Sequence, residues 1–255
     1  MFYRLRNRTN KAIYDFMCRG ILNTPPLPTI DDGTVILSGV GNRDLIMYLV
    51  AIKSFHRRFR RGRIVLLIPD DFPANQLQTL TEHVNPLLVI RDSKVRMGTC
   101  PRGGTWERLV SIIDLIKNYY VIQLDADTVT VGDVEEVREC ADRNLSFTIG
   151  TWPHQSIETM REACARVKSI KHSHVQILAE QNFDRLPDFN ESRYVRGQSS
   201  FAGFARGSFS HEKLERFSEA MTGILGGRKW NEWGSESLAS NFVVANSEKP
   251  EVLPF

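Results

Sequence analysis

The segment Tyr119-Tyr120-Val121-Ile122-Gln123-Leu124-Asp125-Ala126-Asp127-Thr128-Val129 decides the fold. Its first six residues are aromatic, β-branched or aliphatic except for Gln123. The run is too short for an ordinary helix and reads as a buried strand. That strand ends in two carboxylates, and burying a carboxylate is costly unless it meets water, a helix N-terminus or a metal ion. Asp-x-Asp arises by chance about once in a chain of this charge content, so its position at a strand end carries the weight. The plain alternative is that the Asp-Thr turn caps a helix beginning near Asp133.

Upstream, strand-length apolar runs alternate with longer amphipathic segments, which predicts a mostly parallel α/β sheet with crossover helices. Thr34–Val40 precedes a helix over 42–59, with Leu45, Leu49, Ile52 and Phe55 at helical spacing. Arg63–Pro69 precedes a helix starting near Pro73, and Leu87–Ile90 is a third run. A glycine-rich loop, Met97–Thr105, leads into a helix through Lys117. The acidic strand is therefore fourth and central, and ligands gather at the carboxyl ends of such strands. Past Gly132 the pattern predicts a short helix over 133–140, a strand over 145–152 and a long helical region over 157–183. A strand over 200–205 and helices over 212–223 and 235–243 follow. Residues 1–33 form a basic helical lead and a Pro-rich linker. Residues 34–255 form one domain, with a donor half of about 34–132 and an acceptor half of about 133–255.

Composition is that of an ordinary globular chain: 42% hydrophobic, 25% charged, formal net charge +3. This balance argues against nucleic acid as the main partner. Basic residues cluster at Arg4, Arg6, Arg8 and Lys11 and again over His56–Arg63. Such clusters fit a solvated helix face, an acidic substrate or peripheral contact with an anionic membrane. Cys18, Cys100, Cys140 and Cys164 stand apart, without metal spacing. With no signal-like or membrane-spanning stretch, the expected location is cytoplasmic, with peripheral contact at the inner face of a membrane as the alternative. Cys100 reads as a plain loop cysteine and the loop around it as a phosphate cradle or lid. His172 and His174 read as solvated surface on a helix.

Oxygen ligands on alternate residues suit a hard cation, Mn²⁺ or Mg²⁺, with positions left for a diphosphate. The segment 120–129 resembles the metal-binding segment of GT-A fold glycosyltransferases, family eight and its relatives. Trp106-Glu107-Arg108-Leu109 is similar to the aromatic-x-Arg-Leu motif on the preceding helix of that family. The resemblance spans about 34–245 and implies a Rossmann-like GT-A domain and a hexosyltransferase-type activity. The implied donor is a nucleotide-sugar, a UDP-sugar first, and the implied acceptor a glycan or glycoconjugate. It also implies Asp125 and Asp127 as metal and donor ligands, Asp127 as catalytic, and Arg108 as a clamp on the diphosphate. A surface arginine paired to Glu107 or Asp114 is the simpler reading of Arg108. Ser199–Ala205 resembles the small-residue floor of the sugar pocket, with Ala202 and Gly203 at the donor. Trp230–Asn241 resembles the acceptor-side segment, with Glu236 catalytic or acceptor-contacting, Glu232 in reserve, and Trp230 and Trp233 stacking on a sugar or anchoring the core.

Two departures stand out. The first strand ends in Gly39-Val40-Gly41-Asn42-Arg43 with no acid for the base, leaving Asn42 or Asp70 to contact the donor. No histidine follows His211, so the third metal ligand is water or lies beyond Phe255. The same acidic segment also fits a haloacid-dehalogenase-like phosphatase with Asp125 as nucleophile, but there the acidic strand comes first. A non-catalytic binding module on the same fold is the other alternative.

Overall fold

Strands that are apolar on both faces need cover on both sides, and this requirement organises the molecule. The computed structural model describes residues 2–28 and 30–254, with side chains for residue 6 and from residue 9 onward. Phe255 and the side chains of Arg4 and Arg8 lie outside that set.

Helix α1 (Phe2–Cys18) leads through a 3₁₀ turn to the Pro-rich segment. Then come β1 (Thr34–Gly39), α2 (Leu45–Phe59), β2 (Arg63–Ile68), α3 (Ala74–Val84) and β3 (Leu88–Arg91). Next are α4 (Trp106–Leu115), β4 (Tyr120–Leu124), α5 (Glu135–Asp142) and β5 (Phe147–Ile149). β6 (Glu158–Thr159), α6 (Met160–Val167), α7 (Val175–Gln181) and β7 (Arg193–Tyr194) form an excursion from the sheet. β8 (Gln198–Phe204), α8 (His211–Leu225), α9 (Gly227–Trp230), α10 (Ser235–Ala245) and β9 (Glu251–Leu253) complete the chain.

The main sheet runs β3-β2-β1-β4-β8-β5-β9. β1 to β4 are parallel, and β8 runs antiparallel between β4 and β5. Alternation along the strands divides the core in two. Val35, Leu37 and Val121 join α4, α8 and α10 on one face, while Ile36, Tyr120, Ile122 and Leu124 join α2 on the other. The expected central position of the acidic strand is therefore what the structure has.

Three expectations need correction. The long helical region over 157–183 is broken. Thr159 and Glu162 close a capping box that starts α6, and the His174 ring accepts from the Gln176 amide to start α7. The strand expected over 145–152 shrinks to Phe147–Ile149, bulging against β8. β9 was not expected: three residues between Pro250 and Pro254 pair in parallel with β5, too short a run to register in the pattern.

Gly203 sits opposite Ile122 in β8, and a Cβ there would overlap the Phe147 ring and the Tyr120 hydroxyl. Both rings are buried, so neither moves away cheaply. Gly203→Ala should therefore cost about 2 kcal/mol. Thermal melting should show a Tm about 4–8 °C lower; an unchanged Tm would mean the rings accommodate the methyl group.

Candidate functional site

A cleft of about 420 Å³ opens at the carboxyl ends of β1, β2 and β4. Gly39–Gly41 after β1, Leu67 and Pro69 at the end of β2, and Asp125–Asp127 after β4 line it, with Gly103–Thr105 and Arg108 from the start of α4. After β4 the backbone turns sharply. The Asp125 amide donates to Ser200 O at 2.9 Å, and the Thr128 hydroxyl donates to Asp125 O at 2.9 Å. The Thr130 amide then reaches Ser54 Oγ at 3.0 Å on α2. Asp125 is thereby held half-buried while Asp127 stands exposed on the rim.

Arg108 is buried, only 7% exposed, and carries the charge that organises the floor. Its Nη1 pairs with Asp125 and its Nη2 lies 3.4 Å from Glu236 Oε1. The Thr105 hydroxyl donates to Glu236 Oε2 at 2.8 Å. Glu236 opens α10 and is buried, so burial pushes its carboxyl up, with Asp125 adding to the rise and Arg108 and Thr105 opposing it. Burial likewise raises Asp125, which Asp127 reinforces and Arg108 counters. Two carboxyl groups thus share one guanidinium. Trp106 fixes the geometry: its ring meets Trp230 edge-on at 5.7 Å, and its indole N–H donates to Ser235 Oγ at 2.9 Å. The starts of α4 and α10 are thus clasped side by side.

The structure brings Asp125, Asp127, Arg108 and Glu236 together and sets others apart. Arg108 bonds neither Glu107 nor Asp114, so the surface reading of it is wrong. Glu236 is 1% exposed and faces Arg108. Glu232 pairs with Lys229 at the surface. Trp230 is fully buried against Trp106 and Phe217, with its indole N–H on Ser218 Oγ, and anchors the core. Trp233 is 75% exposed, its ring edge-on to His174 at 5.9 Å. Ala202 and Gly203 are buried within β8, away from the cleft lining. Antiparallel register puts Ser199 and Ser200, not these two, beside the end of β4. Asn42 Nδ2 donates to Asp71 at 3.0 Å while its Oδ1 has no partner, and Asp70 accepts from Ser93 Oγ. His174 is half-buried and caps α7, contrary to the solvated-helix reading. Cys100 is buried and its thiol pushed up to about 12, first by burial, which suits a plain cysteine.

Asp44, Asp92 and Glu107 also line the cleft and were not expected there. Asp44 and Asp92 follow β1 and β3 closely, and acids just past parallel strand ends were the available signal. Burial, followed by Glu107 and Asp70, raises Asp92. Glu107 accepts from the Gly103 amide at 2.9 and 3.1 Å and staples the loop. In that loop Gly103, Gly104 and Thr105 all have positive φ, at 85°, 57° and 75°. Asp125 and Asp127 supply hard oxygen donors that fit Mn²⁺ or Mg²⁺. Among the described residues no cluster of three or more acid, histidine or cysteine side chains forms a complete metal shell.

No family model matches the chain, and no curated protein is similar to it. Solved structures are. Galactosyltransferase LgtC, solved with donor and acceptor sugar analogues, superposes with a TM-score of 0.50 at 10% identity, over 86% of this chain and 72% of that one. Core-mannan synthase A from Aspergillus fumigatus, in its Mn/GDP form, gives 0.48 at 10% identity over 85% and 70%. Mouse xyloside xylosyltransferase 1 gives 0.45 at 14% identity over 86% and 84%. The likeness is one of architecture: the chain has the GT-A fold, with Asp125 and Asp127 closing its central strand.

Proposed function

We propose that this chain is a metal-dependent glycosyltransferase, moving a sugar from a nucleotide-sugar donor to a glycan or glycoconjugate acceptor. The observation that carries the reading is the charge of the cleft: Asp44, Asp92, Glu107, Asp125 and Asp127 line it against one guanidinium, already shared by two acids. An anionic diphosphate enters such a cleft only with a cation. Asp127 on the rim and Asp125 beneath it would hold Mn²⁺ or Mg²⁺, leaving water and diphosphate oxygens to complete the shell. When bound, the ion supplies Lewis-acid neutralisation of the departing nucleoside diphosphate.

The chain's own residues do the rest. Arg108 orients Asp125 and adds positive charge beneath the diphosphate. Glu236 and Thr105 position Arg108, so Glu236 acts through the arginine and not on substrate. A UDP-sugar is the donor we favour, from the resemblance of 120–129. Trp233 is exposed three residues before Glu236, hence within about 10 Å along the chain. With His174 beside it, its face suits the ring of an acceptor sugar.

Donor hydrolysis and sugar transfer, followed separately with Mn²⁺ over a panel of nucleotide-sugars and simple glycosides, test this reading. Asp127→Ala should lose both by about a hundredfold or more. Trp233→Ala should weaken transfer about tenfold through acceptor KM while leaving hydrolysis intact. Undiminished turnover in Asp127→Ala would overturn the metal site. Nucleotide binding without any turnover would favour the non-catalytic alternative.

The raised carboxyl of Glu236 gives a second expectation. Its neutral form is the one the fold favours, so the stability linked to it is full below the ordinary glutamate range, about 4.3, and is lost as pH rises through the raised value. Glu236→Gln keeps the neutral shape at every pH. Its Tm should equal wild type in acid and move above it towards neutral pH, while turnover falls about a hundredfold as Arg108 loses its tether. A Tm below wild type at neutral pH would contradict this.

A further inference from the structure

Helix α1 packs on α2 by one side, with Tyr14 and Cys18 half-buried and the Lys11–Asp15 pair between. Its other side carries Ile13, Phe16 and Met17, 53%, 63% and 76% exposed at i, i+3 and i+4, and Leu22 continues the apolar surface at 39%. Three large apolar side chains in one exposed stripe are unusual for a helix already docked by its opposite face. The segment is basic in sequence. Residues 2–19 contain five arginines and lysines against one carboxylate, Asp15. The Arg19 guanidinium lies 4.3 Å over the Phe16 ring, its charged head beside the stripe.

A groove adjoins this stripe along the chain. It lies between residues 21–30 and α2, and its volume is about 880 Å³. Lys53, His56, Arg57 and Arg60 line it with Ile21 and Pro25–Pro28, and no carboxylate is in its lining among the described residues. Arg57 and Arg60 are exposed at the C-terminal turn of α2. No helix among the described residues is long and apolar enough to cross a membrane. An apolar stripe flanked by cations, on a helix lying flat against its domain, has the form of an interfacial anchor. Its apolar side chains enter the acyl boundary while arginines and lysines meet anionic headgroups. A second copy of this chain would bring the same cations against each other, so charge complementarity favours the lipid.

We propose that the Ile13–Phe16–Met17 stripe, with Arg19, Arg57 and Arg60, docks the protein on the surface of an anionic membrane. The proposal does not depend on the catalytic reading, and no residue in it touches the cleft.

Co-sedimentation of the whole chain with vesicles tests it, using phosphatidylcholine alone and phosphatidylcholine mixed with phosphatidylglycerol. The chain should sediment with the mixed vesicles and stay in solution with neutral ones, and added salt should release it. The double substitution Phe16→Glu, Met17→Glu should abolish binding with Tm unchanged, because both side chains face solvent. Arg57→Ala should weaken binding roughly fivefold. Equal binding to neutral vesicles, no binding to either, or full binding by the double variant would overturn it. So would a dimer in solution that the double substitution dissolves without any vesicle binding, since the stripe would then belong to a second copy.

Discussion

One buried guanidinium, held between two carboxylates from distant parts of the chain, governs how the cleft is built. Arg108 is on α4, Asp125 directly follows β4 and Glu236 is in the first turn of α10, so a single charge ties three parts of the fold together across 128 residues of sequence. Losing the guanidinium would strand two acids against the core, at a typical cost of about 3–5 kcal/mol. The surrounding packing is arranged to keep that from happening. Trp106 and Trp230 close the apolar side of the clasp, and the Trp106–Ser235 hydrogen bond sets the register of α4 against α10 one residue before Glu236.

The same trio explains why the open side of the cleft is electrostatically unfinished. Asp44, Asp92, Glu107, Asp125 and Asp127 line it around the single guanidinium of Arg108. On the proposed reading a cation would balance this charge and let an anionic diphosphate bind. The loop over 103–105 bends with three successive positive φ angles and is stapled by Glu107. The two glycines take this conformation freely, so the strain falls on Thr105 at 75°, held in reach of Glu236 by its hydroxyl bond to that carboxyl. Exposed aromatic surface lies outside the clasp, at Trp233 and at Phe16 on the N-terminal helix.

Much of this was legible in the chain itself. The run Tyr120–Leu124 is apolar toward both layers, which identifies a central strand, and Asp125 and Asp127 follow it directly. Arg108 was legible as a residue but not as a buried one, because its two partners come from β4 and α10 and only the tertiary fold unites them. Trp230 and Trp233 are three residues apart and look alike in sequence, yet one fills the core and the other faces solvent; the φ of 102° at Gly234 marks the turn between that region and α10. Gly203 was read as room for a ligand, whereas it makes room for Phe147. Small residues in a strand permit close approach by anything, and the sequence does not say by what. The break between α6 and α7 rests on the His174 ring, which caps the Gln176 amide to restart the helix, and a histidine is too ordinary a residue to announce that role in sequence.

The central claim is that the acidic cleft accepts a nucleoside diphosphate only together with a divalent cation. Thermal melting of the whole chain against UDP, GDP, CDP and ADP, each with Mn²⁺ and with a chelator, tests it most directly. One nucleotide with Mn²⁺ at about a hundred times its Kd should add about 2.7 kcal/mol, a rise on the order of 5–10 °C, and the same nucleotide in chelator should add nothing. A shift of equal size without the metal, or none with any nucleotide, would contradict the account.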